Sequence, residues 1–238
     1  MARAPREEPE GLVYRPELIS VDEEQELLGH IASLRFDPIV LHGRAARRTA
    51  RHYGLGYDYE ARTPQPGEPI PDWLDAARQR AADLAGLRPD DFVEGLVQRY
   101  PIGSTIGWHR DAPAFATVAG ISLGGAARLR FQRGKGEARR VWEVELEPRS
   151  GYVLAGEARS SWQHSIPQTK ELRYSITFRT LRRRALAGPY AWGLTRALHP
   201  RGTTSCRSAS TRRGVGAGSR YPVPRALDRG VARSTPTT

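Results

Sequence analysis

The 238-residue chain holds a single cysteine, Cys206, so it can form no intrachain disulfide and no multi-cysteine zinc site. No apolar run approaches the about 18 residues a spanning helix needs, which excludes a helical membrane protein, and no membrane partner is expected. The opening, MARAPREEPEG, lacks the apolar stretch of a secretory signal. These absences lead to the expectation of a soluble, cytoplasmic protein, taken as a monomer. Acidic residues are scarce in one region only. Residues 182–238 carry 12 arginines, no lysine and one acid, Asp228, while the 25 basic and 25 acidic residues of 1–181 cancel. The formal charge of +11 and the pI near 10.4 therefore describe a tail, not a basic domain. That tail also lacks apolar periodicity and is rich in Arg, Gly, Ser and Thr, a composition that cannot offset the entropy of ordering. Residues 186–238 are expected to be disordered. They could act as a nucleic-acid arm held by counterion release or as a solvated extension, and composition alone favours the extension.

What is present reads as helices followed by strands. Residues 1–16 are polar and expected to be an irregular lead-in to a domain over 17–185. Ser20 and Glu23 make a capping box, and Leu27, Leu28, Ile31 and Leu34 follow at helical spacing. A second helix is expected over 71–86, with Asp72 as cap, Trp73, Leu74, Ala77 and Leu84 as its stripe, and Gly86 as its stop. Between them, 37–71 has little regular pattern; its interleaved arginines and tyrosines suit a short strand or hairpin. From residue 91 the period becomes two. FVEGLVQRY, TVAGISLG, ARLRFQR, VWEVELEP, GYVLAGE and YSITFRTL are short, β-rich runs separated by turn residues. Two helices before such a run indicate an α+β domain, a sandwich or jelly roll with the helices packed on one sheet.

Six histidines exist, and His109 with Asp111 forms His-x-Asp. On an extended backbone, residues two apart project to the same side, so an imidazole and a carboxylate can converge on one cation. His164, 53 residues after Asp111, sits at the edge of another expected strand. Two histidines and one carboxylate leave three open positions on an octahedral ion, as in non-haem Fe(II) oxygenases. A zinc hydrolase would use the same ligand types, and ligand type alone leaves both open. Arg173 and Arg179 follow in LRYSITFRT, six residues apart and so on one face of a strand, with Ser175 and Thr177 between them. Tyr174, Ile176 and Phe178 face the other way. Two arginines on one buried face need anions, and their planar forks match carboxylates. A dicarboxylate that chelates the metal at one end would use both.

On VQRYPIGSTIGWHRD, SSWQHSIP and LRYSITFR, with ARRTARHYGLGYDY upstream, the chain resembles the AlkB-like Fe(II)/2-oxoglutarate-dependent dioxygenases over about residues 10–183. The resemblance implies a double-stranded β-helix (jelly roll) core and the cofactors Fe(II), 2-oxoglutarate and O2. It implies that His109, Asp111 and His164 ligate iron. By the same resemblance Arg173 pairs with the distal carboxylate of 2-oxoglutarate, Tyr100 bonds that cosubstrate, and Arg179 lies near it. Gln98 and Ser175 stand where the family often has Asn, and each keeps hydrogen-bonding capacity. Pro113 stands where some members carry an acidic base-reading residue, and the link from His164 to Arg173 is short.

The implied reaction is oxidative demethylation of N-alkylated bases in nucleic acid, single-stranded or locally unpaired, releasing formaldehyde, succinate and CO2. The implied nucleotide-recognition lid spans about 37–71, with Arg48, Arg51, Tyr53, Tyr57 and Tyr59 as substrate contacts; Tyr59 is favoured as the stacking partner opposite His109. Packing of these tyrosines on the helices is the competing reading. Trp108 reads as packing beside a ligand. The balanced charge of 1–181 keeps a protein or small-molecule hydroxylase open as an alternative.

Overall fold

The computed structural model describes residues 5–41, 44–58 and 63–182. The tail expected to be disordered and Tyr59 lie outside these residues. The first helix is α1 (Val21–Ala32). Its capping box is present: the Ser20 hydroxyl accepts from the Glu23 N–H at 3.1 Å, and the Glu23 carboxylate accepts from the Ser20 N–H at 2.7 Å. The second, α2 (Asp75–Ala85), follows a 3-10 turn over Asp72–Leu74. Pro71 occupies the cap position, so Asp72 lies inside the turn and makes no side-chain cap bond. This corrects the expected cap: with its φ preset by the ring, Pro71 starts the turn one residue early. Gly86 ends α2 with φ 65°, in the left-handed region that glycine enters without strain.

Among the described residues there are twelve strands. They are β1 (Leu12–Arg15), β2 (Asp37–Leu41), β3 (Arg44–Asp58), β4 (Thr63–Pro66), β5 (Phe92–Tyr100) and β6 (Ile106–His109). The second half comprises β7 (Phe115–Gly124), β8 (Ala127–Arg133), β9 (Arg140–Leu146), β10 (Gly151–Leu154), β11 (Gln163–Ile166) and β12 (Arg173–Leu181), with a short helix, α3 (Gly156–Ser160), before β11. One sheet runs β1-β10-β7-β12-β5-β3-β2 with β4 on β3; the other runs β6-β11-β8-β9. Every pairing between these strands is antiparallel. This is the jelly roll, with helices on one face of the larger sheet.

Two regions differ from the sequence expectation. Residues 1–16 contain β1, an edge strand whose four residues pair with β10, so the lead-in is not wholly irregular. Such a strand is too short to show a period, and its partner lies far along the chain. The stretch 37–71 forms β2 to β4, and β3 is 15 residues long and pairs with β5 in the larger sheet. Its arginines and glycines conceal a strand whose stability comes from tertiary pairing, not propensity.

Both faces of β12 are covered. Ile176 and Phe178 pack with Val97, Ala119 and Ile121 against Leu27, Ile31, Leu74 and Ala77 of the helical layer. The opposite face looks between the sheets, where Tyr100, Leu129, Phe131, Leu146 and Tyr152 form a second cluster. Gly120, on β7, is required here: a Cβ at that position would run into the Tyr152 ring. The space left between the sheets holds the site.

Candidate active site

His109 ends β6 and pairs in register with His164 of β11, so the two imidazoles stand side by side with ring centroids 4.3 Å apart. Asp111 follows two residues beyond His109. The ligand atoms of the three side chains all lie within 4.8 Å of one another, and among the described residues they are the cluster with metal-holding geometry. The free valences point the right way. The His109 Nδ1–H donates to the Gly107 carbonyl at 3.0 Å, which leaves Nε2 as the lone-pair nitrogen. Asp111 Oδ1 accepts from Arg179 Nη2 at 3.3 Å, whereas Oδ2 has no hydrogen-bond partner and lies 3.6 Å from His164 Nε2. A buried carboxylate oxygen facing an imidazole nitrogen, neither otherwise used, fits a bound cation.

Electrostatics prepare the ligands for a metal. Burial pushes the Asp111 carboxyl up, but the charges of Arg179, the two histidines and Arg159 outweigh it, so the group titrates well below the usual range. Burial drives His164 down to about 4, so it is neutral at physiological pH and ready to ligate.

Next to this cluster is an anion site. Arg173 is 1% exposed, its Nε donates to Ser122 Oγ at 3.1 Å, and its guanidinium lies 4.8 Å from the centroid of the Tyr100 ring. Its Nη1 has no hydrogen-bond partner and it makes no salt bridge among the described residues. A buried cation without a counter-charge is costly, and an incoming carboxylate relieves it. Around it the register sets Tyr100 opposite Arg173 and Gln98 opposite Ser175, with the Tyr100 hydroxyl donating to Gln98 Oε1 at 2.8 Å. The five residues expected to hold the cosubstrate thus share one wall. Arg179 stands at its metal-side end, donating Nη1 to Glu94 at 2.6 Å and Nη2 to Asp111. These groups fit a keto diacid between the iron ligands and Arg173.

A cavity of about 500 Å³ opens over the cluster, lined by Arg48, His52, Glu94, Trp108, Arg110 and Tyr152 among others. Of the expected substrate contacts, Arg48 reaches it. Arg51 and Tyr53, on the other side of β3 or in its core, do not: Arg51 pairs with Glu68 at 2.6 Å, and Tyr53 is buried edge-on to Trp73 at 6.4 Å. In Tyr53 the packing reading is the one the structure displays. Tyr57 belongs to β3. Trp108, expected to be packing, is 37% exposed and carries the Arg130 guanidinium at 5.2 Å.

Three contributors were not singled out from the sequence. Glu94 and His52 meet across 42 residues of separation, with His52 Nδ1 3.3 Å from Glu94 Oε1. Arg159, 4% exposed on α3, donates Nη2 to the Ala112 and Phe115 carbonyls and so pins the loop behind Asp111. The one signal for Glu94 was an acid within the otherwise apolar run FVEGLV that opens β5.

The model of the 2OG-Fe(II) oxygenase superfamily matches residues 20–179, which span all three ligands and both arginines. The chain belongs to that superfamily. It is an AlkB-like 2-oxoglutarate-dependent dioxygenase, which uses Fe(II), 2-oxoglutarate and O2, and this closes the zinc-hydrolase alternative. Mouse tRNA (carboxymethyluridine(34)-5-O)-methyltransferase ALKBH8 is 27% identical over 175 residues, covering 68% of this chain and 25% of the mouse protein. The Arabidopsis thaliana alkylated DNA repair protein ALKBH8 homolog is 27% identical over 188 residues, covering 67% of this chain and 51% of the plant protein. The chain therefore spans a quarter to a half of these relatives. Among solved structures, OsALKBH1 superposes with a TM-score of 0.55 at 16% identity, over 75% of this chain and 100% of that one. A Burkholderia pseudomallei oxidoreductase of the 2OG-Fe(II) oxygenase family gives 0.52 at 17%, over 72% and 85%. Both share the fold. Among the described residues, no helix is long and apolar enough to cross a membrane.

Proposed function

We propose that the dioxygenase removes N-alkyl groups from nucleobases in unpaired stretches of nucleic acid. The observation that carries this reading is the rim of the cavity. Arg48 and Arg110 line it without an acidic partner among the described residues, and Arg130 stacks on the exposed Trp108 beside them. Guanidiniums without counter-charges suit phosphates, and an exposed indole suits a base drawn out of its stack. The volume is that of a small-molecule site, open enough to admit one base. The two ALKBH8 relatives, one named for tRNA modification and one for alkylated-DNA repair, support nucleic acid as the substrate.

Bound Fe(II) with 2-oxoglutarate supplies the oxidation: the cosubstrate loses CO2 and becomes succinate, one atom of O2 enters succinate, and the other hydroxylates the N-alkyl carbon. The chain does the rest. His109, Asp111 and His164 would hold the metal, and Arg173, with Tyr100 and Gln98, would hold the distal carboxylate. Arg179 keeps Asp111 ionised and aimed. Hydroxylation of an N-methyl carbon yields a hemiaminal, which breaks its C–N bond to release formaldehyde and the unmodified base.

The test is release of formaldehyde and succinate from methylated single-stranded oligonucleotides with Fe(II) and 2-oxoglutarate. Equimolar release supports the proposal. The balanced charge of residues 1–181 favours a second reading, a hydroxylase of protein or small molecules. In that case the oligonucleotides would leave cosubstrate turnover unstimulated and yield no formaldehyde.

A further inference from the structure

Two carboxylates share one guanidinium beside the metal cluster, and they share it unequally. Strand register places Glu94 of β5 directly opposite Arg179 of β12. Arg179 Nη1 donates to Glu94 Oε2 at 2.6 Å, whereas its Nη2 donates to Asp111 Oδ1 at 3.3 Å. The shorter bond thus goes to the acid outside the metal cluster. Glu94 is itself fixed: its side chain is 2% exposed, and its Oε1 lies 3.3 Å from His52 Nδ1. It lines the cavity of the cluster, yet neither the ligand set nor the anion site calls for an acid there. A guanidinium left alone with a carboxylate closes on it bidentately, two parallel N–H groups on two oxygens. On Asp111 that closure would consume Oδ2, which has no hydrogen-bond partner among the described residues and lies 3.6 Å from His164 Nε2. Oδ2 is the atom a metal needs. With Nη1 spent on Glu94, Arg179 reaches Asp111 by one arm only, and Oδ2 stays open.

We propose that Glu94 is a positioning residue for metal binding: by holding one arm of Arg179 it keeps that guanidinium from closing on Asp111, and so keeps one Asp111 oxygen free for Fe(II). The inference rests on the reading that His109, Asp111 and His164 hold the iron. Arg179 then does two things that conflict unless a second acid is present. Its charge favours the ionised Asp111, and its planar fork is a competitor for the same carboxylate. Glu94 separates the two effects, because it leaves the charge in place and takes up the fork.

Anaerobic calorimetric titration with Fe(II) alone tests this, because effects on 2-oxoglutarate do not enter. The dissociation constant is measured for the wild type, Glu94→Ala, Glu94→Gln, Arg179→Met, the double variant Glu94→Ala/Arg179→Met, and Asp111→Ala. Partial unfolding of a variant lowers the stoichiometry and leaves the constant of the folded molecules readable. Glu94→Ala is expected to weaken Fe(II) binding on the order of 10-fold, and Glu94→Gln, whose amide oxygen still accepts from Nη1, to retain most of the affinity. In the Arg179→Met background the same Glu94→Ala change is expected to cost less than about 3-fold, because no fork remains to close. A merely structural role for Glu94 would carry its loss into both backgrounds. Unchanged binding in Glu94→Ala, a loss that persists without Arg179, or a Glu94→Gln as weak as Glu94→Ala overturns the inference, while weakened binding in Asp111→Ala leaves the iron ligands standing. Wild-type binding in Asp111→Ala overturns the ligand reading itself, and this inference with it.

Discussion

The two faces of β12 are made of opposite chemistry. On one, Ile176 and Phe178 are fully buried against the helical layer; on the other, Arg173, Ser175 and Thr177 are also buried but polar or charged, with Arg179 partly buried beside them. The neighbouring strand repeats the contrast, with Val97 in the helical-side core and Glu94 and Gln98 lining the cavity. The helical side supplies stability, because apolar area leaves water there without loss of hydrogen bonds. The inner side holds charges at the expense of stability, an arrangement typical of a site that awaits an ion and an anion.

Substitution on each face can separate the two contributions. Phe178→Ala should destabilise the protein by about 3–5 kcal/mol, because it leaves a cavity against Phe92 and the helices. Denaturant unfolding measures it, and an effect below 1 kcal/mol would break the comparison.

Acid should act through the inner face. Burial holds His164 at about 4 in the native state, below the ordinary 6.5 of histidine, so the unfolded chain binds more protons between these values. Stability of the metal-free protein should therefore be fully present above pH 6.5 and fall as the pH drops towards 4, by on the order of 3 kcal/mol. Unfolding midpoints across that window check the sign. His164→Gln should flatten the slope.

Arg173→Met should raise the KM for 2-oxoglutarate on the order of 100-fold, since it removes a desolvated charge partner. The same substitution should leave the ligand-free unfolding midpoint unchanged or higher, because an uncompensated buried cation has gone. A lower midpoint with an unaltered KM would mean that Arg173 belongs to the stabilising face instead. The smallest effect lies far from both faces. Ser20→Ala should cost about 1 kcal/mol through its capping box and leave the KM untouched.

The same contrast governs what could be read from the sequence. The α1 cap, the polar and apolar alternation of β12 and the His-x-Asp spacing depend on residues close in sequence, and each was legible. The pairing of His52 with Glu94 depends on β3 lying beside β5, and β3 carries arginines and glycines where a strand pattern would have shown it. Arg51 and Tyr53 illustrate the same limit from the other side. Both stand in the arginine- and tyrosine-rich stretch, yet one is held by Glu68 and the other by Trp73, since alternate positions of a strand meet different surroundings. Arg159 was hidden because its partners are the carbonyls of a loop more than 40 residues upstream, and no side-chain pattern signals a backbone acceptor.

Anaerobic titration of the purified protein with Fe(II) in the presence of 2-oxoglutarate, followed by the charge-transfer absorbance of the chelate, tests the shared centre most directly. The wild type should bind one equivalent of metal, and Asp111→Ala and His164→Ala should each weaken binding at least about 10-fold to 100-fold. Wild-type affinity in both variants would contradict the account.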